Sequence, residues 1–134
     1  MNIGEYGAFG EKLAQEYLKK QGYKILTVNF AKKQGEIDII AVETKKARKK
    51  REEFKSMTKL MQKEDVLVFV EVKSRHKVDY GRPATAVDQK KKKHYEIVAN
   101  NFRLLNPKYS GLSFRFDIVE VVEERVENHY LNAF

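Results

Sequence analysis

Cysteine is absent from the 134 residues, which excludes disulfides and thiolate metal sites together. Histidine is scarce: His76, His94 and His129 lie too far apart in the chain to read as a zinc cluster. No apolar run reaches the roughly 18 residues that a membrane span requires. The N-terminus also lacks the apolar core of a signal peptide. A cytoplasmic protein with no membrane partner is therefore expected, and the length suits a single domain over residues 1–134.

Charge is plentiful and unevenly distributed. Lysine and arginine number 27 against 19 aspartates and glutamates, a formal charge of +8. Residues 44–64 (TKKARKKREEFKSMTKLMQKE) carry nine basic and three acidic side chains, and the remainder of the chain is close to balance. Such basic runs suit a polyanion such as nucleic acid, or simply a solvated face. Phe54, Met57, Leu60 and Met61 have roughly helical spacing, so this segment reads either as a short amphipathic helix or as a disordered basic loop. It is expected to be an insertion between two strands.

The remaining chain reads as αβββαβ with a short extra strand. Asn2 to Gln21 has helical periodicity, opened by Asn2 with Glu5 and closed by Gly22 after Lys19 and Lys20. Gly7, Gly10 and Ala14 form a stripe of small residues suited to close approach to a sheet, and Glu11 falls at its edge. Strands are expected over Tyr23–Phe30, Glu36–Val42, Val66–Lys73 and Phe114–Val122, with another over Val126–Ala133. Thr85 to Leu105 has the period of a crossover helix, making the third and fourth strands parallel neighbours. The first three strands should form an antiparallel meander. The expected class is α/β, a mixed central sheet flanked by two main helices.

Strand alternation brings chemistry-bearing residues together. In VLVFVEVKSR, Leu67, Phe69, Glu71, Lys73 and Arg75 share one face, which turns from apolar to charged at its C-terminal end. Glu36 and Asp38 share a face opposite Ile37 and Ile39. Suitable pairing lets Asp38 and Glu71 converge on one hard cation such as Mg²⁺, with Lys73 alongside. Glu11 would join from the first helix. That set suits phosphodiester hydrolysis, with lysine stabilising developing charge. The plainer reading is a cross-strand ion pair, worth about 0.2–1 kcal/mol. Lys91 stands within the apolar stripe of the second helix, where it needs a carboxylate or phosphate unless it snorkels. Arg115 and Asp117 share a face of the fourth strand, and a structural pairing is favoured for Asp117.

The residues also match a known family. The pattern GxxGExxAxxYL from Gly7 to Leu18 is followed by Gly22-Tyr23, Ile25-Leu26 and Asn29. Then come GEIDIIA (35–41), VFVEVKSR (68–75), Gly81-Arg82-Pro83, Ala86-Val87-Asp88, Lys91, RFDIVEV (115–121) and Leu131 to Phe134. Together these resemble the YraN-like family of the restriction-endonuclease-like PD-(D/E)XK superfamily, similar to archaeal Holliday-junction resolvases. The match covers nearly all the chain except residues 44–64. The resemblance implies the restriction-endonuclease-like αβββαβ core, with Glu11, Asp38, Glu71 and Lys73 as catalytic positions. Asp38, Glu71 and Glu11 would hold Mg²⁺ or Mn²⁺. Lys33, Arg75 and Lys91 match basic positions that meet phosphate. It also implies a DNA endonuclease acting on branched or single-stranded DNA in recombination or repair, working as a homodimer. The alternative is a nucleic-acid-binding protein that keeps the nuclease fold with little or no catalysis. The chain departs from the pattern at Ile37, where the superfamily motif has proline, and at Ala31, where the family often has arginine. The basic insertion is a third departure.

Overall fold

The computed structural model describes residues 3–50, 64–76 and 87–134. Helix α1 (Ile3–Lys20) leads to strands β1 (Lys24–Lys32) and β2 (Gly35–Glu43), and a short helix α2 (Lys45–Lys49) follows. Strand β3 (Val66–Arg75), helix α3 (Gln89–Leu105), a single 3₁₀ turn (Pro107–Tyr109), β4 (Ser113–Val122) and β5 (Arg125–Tyr130) complete the order. The strands form one sheet in sequence order. Strands β1, β2 and β3 are mutually antiparallel, β3 and β4 run parallel, and β5 returns antiparallel.

Local chemistry accounts for these boundaries. Helix α1 ends because Gly22 takes φ +94°, a region open to glycine at little cost. Its N–H reaches the Lys19 carbonyl and that of Tyr23 reaches Leu18, closing the last turn. Helix α3 begins at Gln89 rather than Thr85, because the Asp88 carboxylate accepts from the Lys91 N–H (2.7 Å) and caps the first turn. Thr85 and Ala86 lie outside the described residues. Strand β3 occupies the centre of the sheet, so Leu67 to Val70 are buried on both faces, as its continuous apolar run requires.

Two cores result, one on each face of the sheet. Ala14 and Leu18 of α1 pack with Ile39, Ala41, Val68, Val70, Val119 and Val121. Tyr95, Val98, Ala99 and Phe102 of α3 pack with Ile37, Ile40, Val42, Leu67 and Phe69. The small-residue stripe of α1 matters at one point. A Cβ on Gly10 would collide with Ser74 Oγ and lie 3.1 Å from its Cβ, whereas one on Gly7 would meet nothing within 4 Å.

The expected insertion at 44–64 is only partly separate from this core. Thr44 caps α2 and donates to the Gly22 carbonyl (2.8 Å). Ala47 and Arg48 are buried, with Ala47 in the α1-side core. Phe54, Met57, Leu60 and Met61, on which the amphipathic-helix reading rested, lie outside the described residues.

A buried polar network ties the far end of the sheet together. Arg115 donates to Glu43 (3.0 Å) and Asp117 (2.9 Å), and Tyr23 donates to Glu43 (2.8 Å). His129 pairs with Asp117 (2.8 Å) and with the Tyr17 hydroxyl (2.9 Å). The structural pairing expected for Asp117 is therefore what the fold contains.

Candidate active site at a split in the sheet

The site begins where β2 leaves β3. Their ladder runs from Glu43↔Val66 to Ile39↔Val70 and goes no further. One residue beyond, Asp38 Oδ2 accepts the backbone N–H of Val72 (2.8 Å). A side chain has taken a donor that a continuing ladder would have used. Across β1, Asn29 stands between the pairs Val28↔Ile39 and Phe30↔Ile37, hence opposite Asp38, and has φ +51°. Asparagine is among the few non-glycine residues that visit this region.

Strict alternation through Ile37, Asp38 and Ile39, expected from the strand pattern, is therefore not kept. Ile37 packs in the α3-side core and Ile39 in the α1-side core. The irregularity opens the sheet at Asp38, and acidic residues from its two faces approach through the opening. Glu11 comes from α1 on one side, and Glu71, on the α3-facing side of β3, from the other.

The electrostatics record that convergence. Burial, then the charges of Glu11, Glu71 and Glu36, push the Asp38 carboxyl up to about 7, against the lowering effect of the Val72 N–H. Burial and Glu36 likewise raise Glu11, although Asp38 and Asn29 both hydrogen-bond to it. The Asn29 amide nitrogen donates to Glu36 Oε1 (2.8 Å) and Glu11 Oε2 (3.1 Å) when oriented by its neighbours. Burial raises the Tyr95 hydroxyl, and Glu71, Asp38, Glu36 and Glu11 raise it further. Tyr95 thus lies within the field of all four acids.

Glu71 is the most buried of these carboxylates, with its side chain 8% exposed. Its Oε1 is ion-paired with Lys91 Nζ, so the lysine on the apolar stripe has found a carboxylate. Its Oε2 is buried and has no hydrogen-bond partner among the described residues. Lys73 follows two residues along β3 and is partly buried. Arg75 lies 2.5 Å from Glu120 in an ion pair between β3 and β4. Lys33 is exposed in the turn between β1 and β2.

The residues fit a hard divalent cation. Oxygen donors converge, one buried carboxylate oxygen lacks a partner among the described residues, and mutual repulsion among the acids would be relieved by positive charge. Among the described residues, no three acidic or histidine side chains are gathered tightly enough to form a ready-made cage.

Sequence reasoning singled out Glu11, Asp38, Glu71 and Lys91, and the fold brings these four into one neighbourhood. It gave no role to Asn29, Glu36 or Tyr95. Glu36 was discoverable from its place two residues before Asp38, and Tyr95 from its position one helical turn after Lys91. Nothing local in the sequence links Asn29 to Glu11, because that contact depends on the packing of α1.

A five-stranded mixed sheet, with α1 and α3 on opposite faces and acids at a split between its second and third strands, defines the restriction-endonuclease-like αβββαβ core. The chain belongs to Uncharacterised protein family UPF0102, the YraN-like family, whose model matches residues 10–121. It is 40% identical to a UPF0102 protein of Clostridioides difficile over the whole of both chains. A UPF0102 protein of Caldicellulosiruptor bescii is 38% identical over 90% of this chain and 85% of its own. One from Flavobacterium psychrophilum is 36% identical over 97% and 93%, respectively. No helix among the described residues is long and apolar enough to cross a membrane.

Proposed function

We propose that this protein is a metal-dependent endonuclease that hydrolyses DNA phosphodiester bonds, selective for branched or single-stranded substrates. The observation that carries the reading is the meeting of Glu11, Asp38 and Glu71, from three separate elements, where Asp38 takes the Val72 N–H. Asp38 and Glu71, with the Val72 backbone carbonyl, would hold Mg²⁺ or Mn²⁺, and Glu11 would support a second ion or the hydration shell of the first. A cation there supplies water activation and neutralises phosphate charge. Lys73 orients the attacking water and stabilises the charge that develops on the phosphate. Lys91 holds Glu71 until that carboxylate is needed, then offers its ammonium to the phosphate. Asn29 fixes Glu11 and Glu36.

The absence, among the described residues, of a ready-made three-carboxylate cage favours a second reading. In it the chain keeps the nuclease core for binding nucleic acid and has little or no catalysis. Incubating the protein with labelled single-stranded, duplex, flapped and four-way-junction DNA in Mg²⁺ or Mn²⁺, beside Asp38→Ala, separates the two. The expected result is cleavage by the wild type and none by the variant. Binding without cleavage of any substrate selects the second reading. Lys73→Ala should retain metal binding and lose turnover; cleavage at the wild-type rate would remove Lys73 from the mechanism.

A further inference from the structure

An open cavity of about 360 Å³ is lined by Leu26, Thr27 and Phe30 of β1, Phe102 near the C-terminal end of α3, and Asn106 and Tyr109 beyond it, and shares strand β1 with the acidic site. We infer that this cavity is a stacking pocket for an unpaired nucleobase of the strand whose backbone reaches the acidic site. The inference rests on the nuclease-fold reading above and deepens it by assigning the place where an unstacked base of the single-stranded substrate is held.

Three observations carry it. The first is aromatic surface. Phe102 forms the buried floor, with Phe30 edge-on to it at 5.4 Å between centroids and Tyr109 stacked on it at 6.5 Å. Phe30 and Tyr109 are only partly buried, so each keeps ring area for another flat group. The second is charge. Lys32 Nζ lies 5.3 Å from the Phe30 ring centre, and Lys108 Nζ 5.6 Å from that of Tyr109. Each of these partly buried rings therefore carries an ammonium beside it, and Lys33 follows in the adjoining turn. Aromatic faces with flanking cations suit a base and its phosphates, because stacking needs no particular base while the lysines follow the backbone. An apolar peptide would gain nothing from those cations.

The third is continuity with the site. Phe30 directly follows Asn29, which holds Glu11 and Glu36, and pairs across the sheet with Ile37, the neighbour of Asp38. Strand β1 is thus the link along which a nucleic-acid strand with one base in the cavity would continue toward the acidic site. Thr27 and Asn106 supply polar groups at the wall.

The test is fluorescence anisotropy of the full chain, without metal and at fixed ionic strength, using labelled oligothymidylate and a blunt duplex. Tyr109→Leu keeps apolar bulk and removes the ring. It should weaken oligothymidylate binding at least fivefold and leave duplex binding within twofold. Lys108→Gln, which alters only an exposed side chain, should lower the salt dependence of single-strand binding by about one ion. An oligouridylate arm shows whether the pocket accepts ribose as well as deoxyribose strands. Equal losses for single strand and duplex, or no loss for either, would overturn the pocket. So would a change confined to self-association by sedimentation, since a second copy would then be the occupant. The two readings fail separately. Selective loss of single-strand binding in a protein that cuts nothing keeps the pocket and removes the nuclease. Cleavage that ignores Tyr109→Leu, with unchanged binding, does the reverse.

Discussion

At the scale of single residues, Glu71 and Lys91 form the most informative pair. Lys91 stands on the inner stripe of α3, which is buried at Tyr95, Val98, Ala99 and Phe102, yet its side chain is 43% exposed, so its ammonium reaches past the apolar stripe as a snorkelling lysine does. That ammonium sits on one oxygen of the Glu71 carboxylate, whose other oxygen has no partner among the described residues. A divalent cation approaching Glu71 must compete with that ammonium. Lys91→Met should therefore tighten Mn²⁺ binding in the absence of DNA by up to about fivefold, the size of a partly exposed ion pair of about 1 kcal/mol, measured by titration calorimetry. Unchanged or weaker binding would remove Lys91 as a competitor for the site. Asp38 is the complementary case. Burial raises its pKa, and Glu11, Glu71 and Glu36 raise it further, so without metal its charge opposes folding. Asp38→Asn keeps an oxygen for the Val72 N–H and removes the repulsion. It should raise the metal-free melting temperature by a few degrees, the scale of about 1 kcal/mol. Added Mg²⁺ should stabilise the wild type and leave this variant unmoved.

At the scale of elements, Gly7 and Gly10 of α1 make opposite predictions. Gly10 is buried against Ser74 and Val121, while Gly7 faces open space. Gly10→Val should cost about 1–3 kcal/mol through overpacking and displace Glu11, the next residue. Gly7→Ala should stabilise the protein by about 0.5–1 kcal/mol from helix preference alone. Chemical denaturation of both variants checks the contrast. The basic segment divides in the same way. Removing residues 51–63 should leave the core intact. Extending the deletion to residue 45 removes Ala47 and Arg48, both buried, and Ala47 is the residue packed against Gly22. The longer deletion should be markedly less stable, seen as a lower thermal midpoint by circular dichroism.

At the scale of the whole molecule, the network at the far end of the sheet makes folding sensitive to acid. Burial alone pushes the Asp117 carboxyl up, but the His129 hydrogen bond and the Arg115 guanidinium outweigh it and hold the carboxyl below its usual range. A depressed folded-state pKa gives stability that is fully present above the unfolded value, about 3.9. That stability is lost as pH falls from there through the lower folded value. Asp117→Asn should cost about 3–5 kcal/mol at neutral pH, because it breaks a buried charge pair. It should also flatten the acid limb of the stability profile, read from urea unfolding across pH. A limb as steep as that of the wild type would place the acid sensitivity elsewhere.

Much of this architecture follows from the chain alone. The apolar run of β3, the Gly22 stop after α1 and the Asn106-Pro107 break after α3 are local signals, and local signals survive without tertiary information. They determined the order of the two main helices and five strands, the antiparallel meander, the parallel β3–β4 pair, and Glu11, Asp38, Glu71 and Lys73 as candidates, but not helix α2. Other features required the fold. Helix α3 starts four residues later than its periodicity suggested, because Asp88 caps it. The split at Asp38 needs the positive φ of Asn29 and the Val72 N–H, which lies 34 residues from Asp38 in sequence. Asn29 reaches Glu11 and Glu36, Arg75 meets Glu120, and Phe30, Phe102 and Tyr109 enclose a cavity, only because packing brings distant segments together. Alternation and periodicity report which face a side chain takes within one element. They carry no information about which side chains face one another across two.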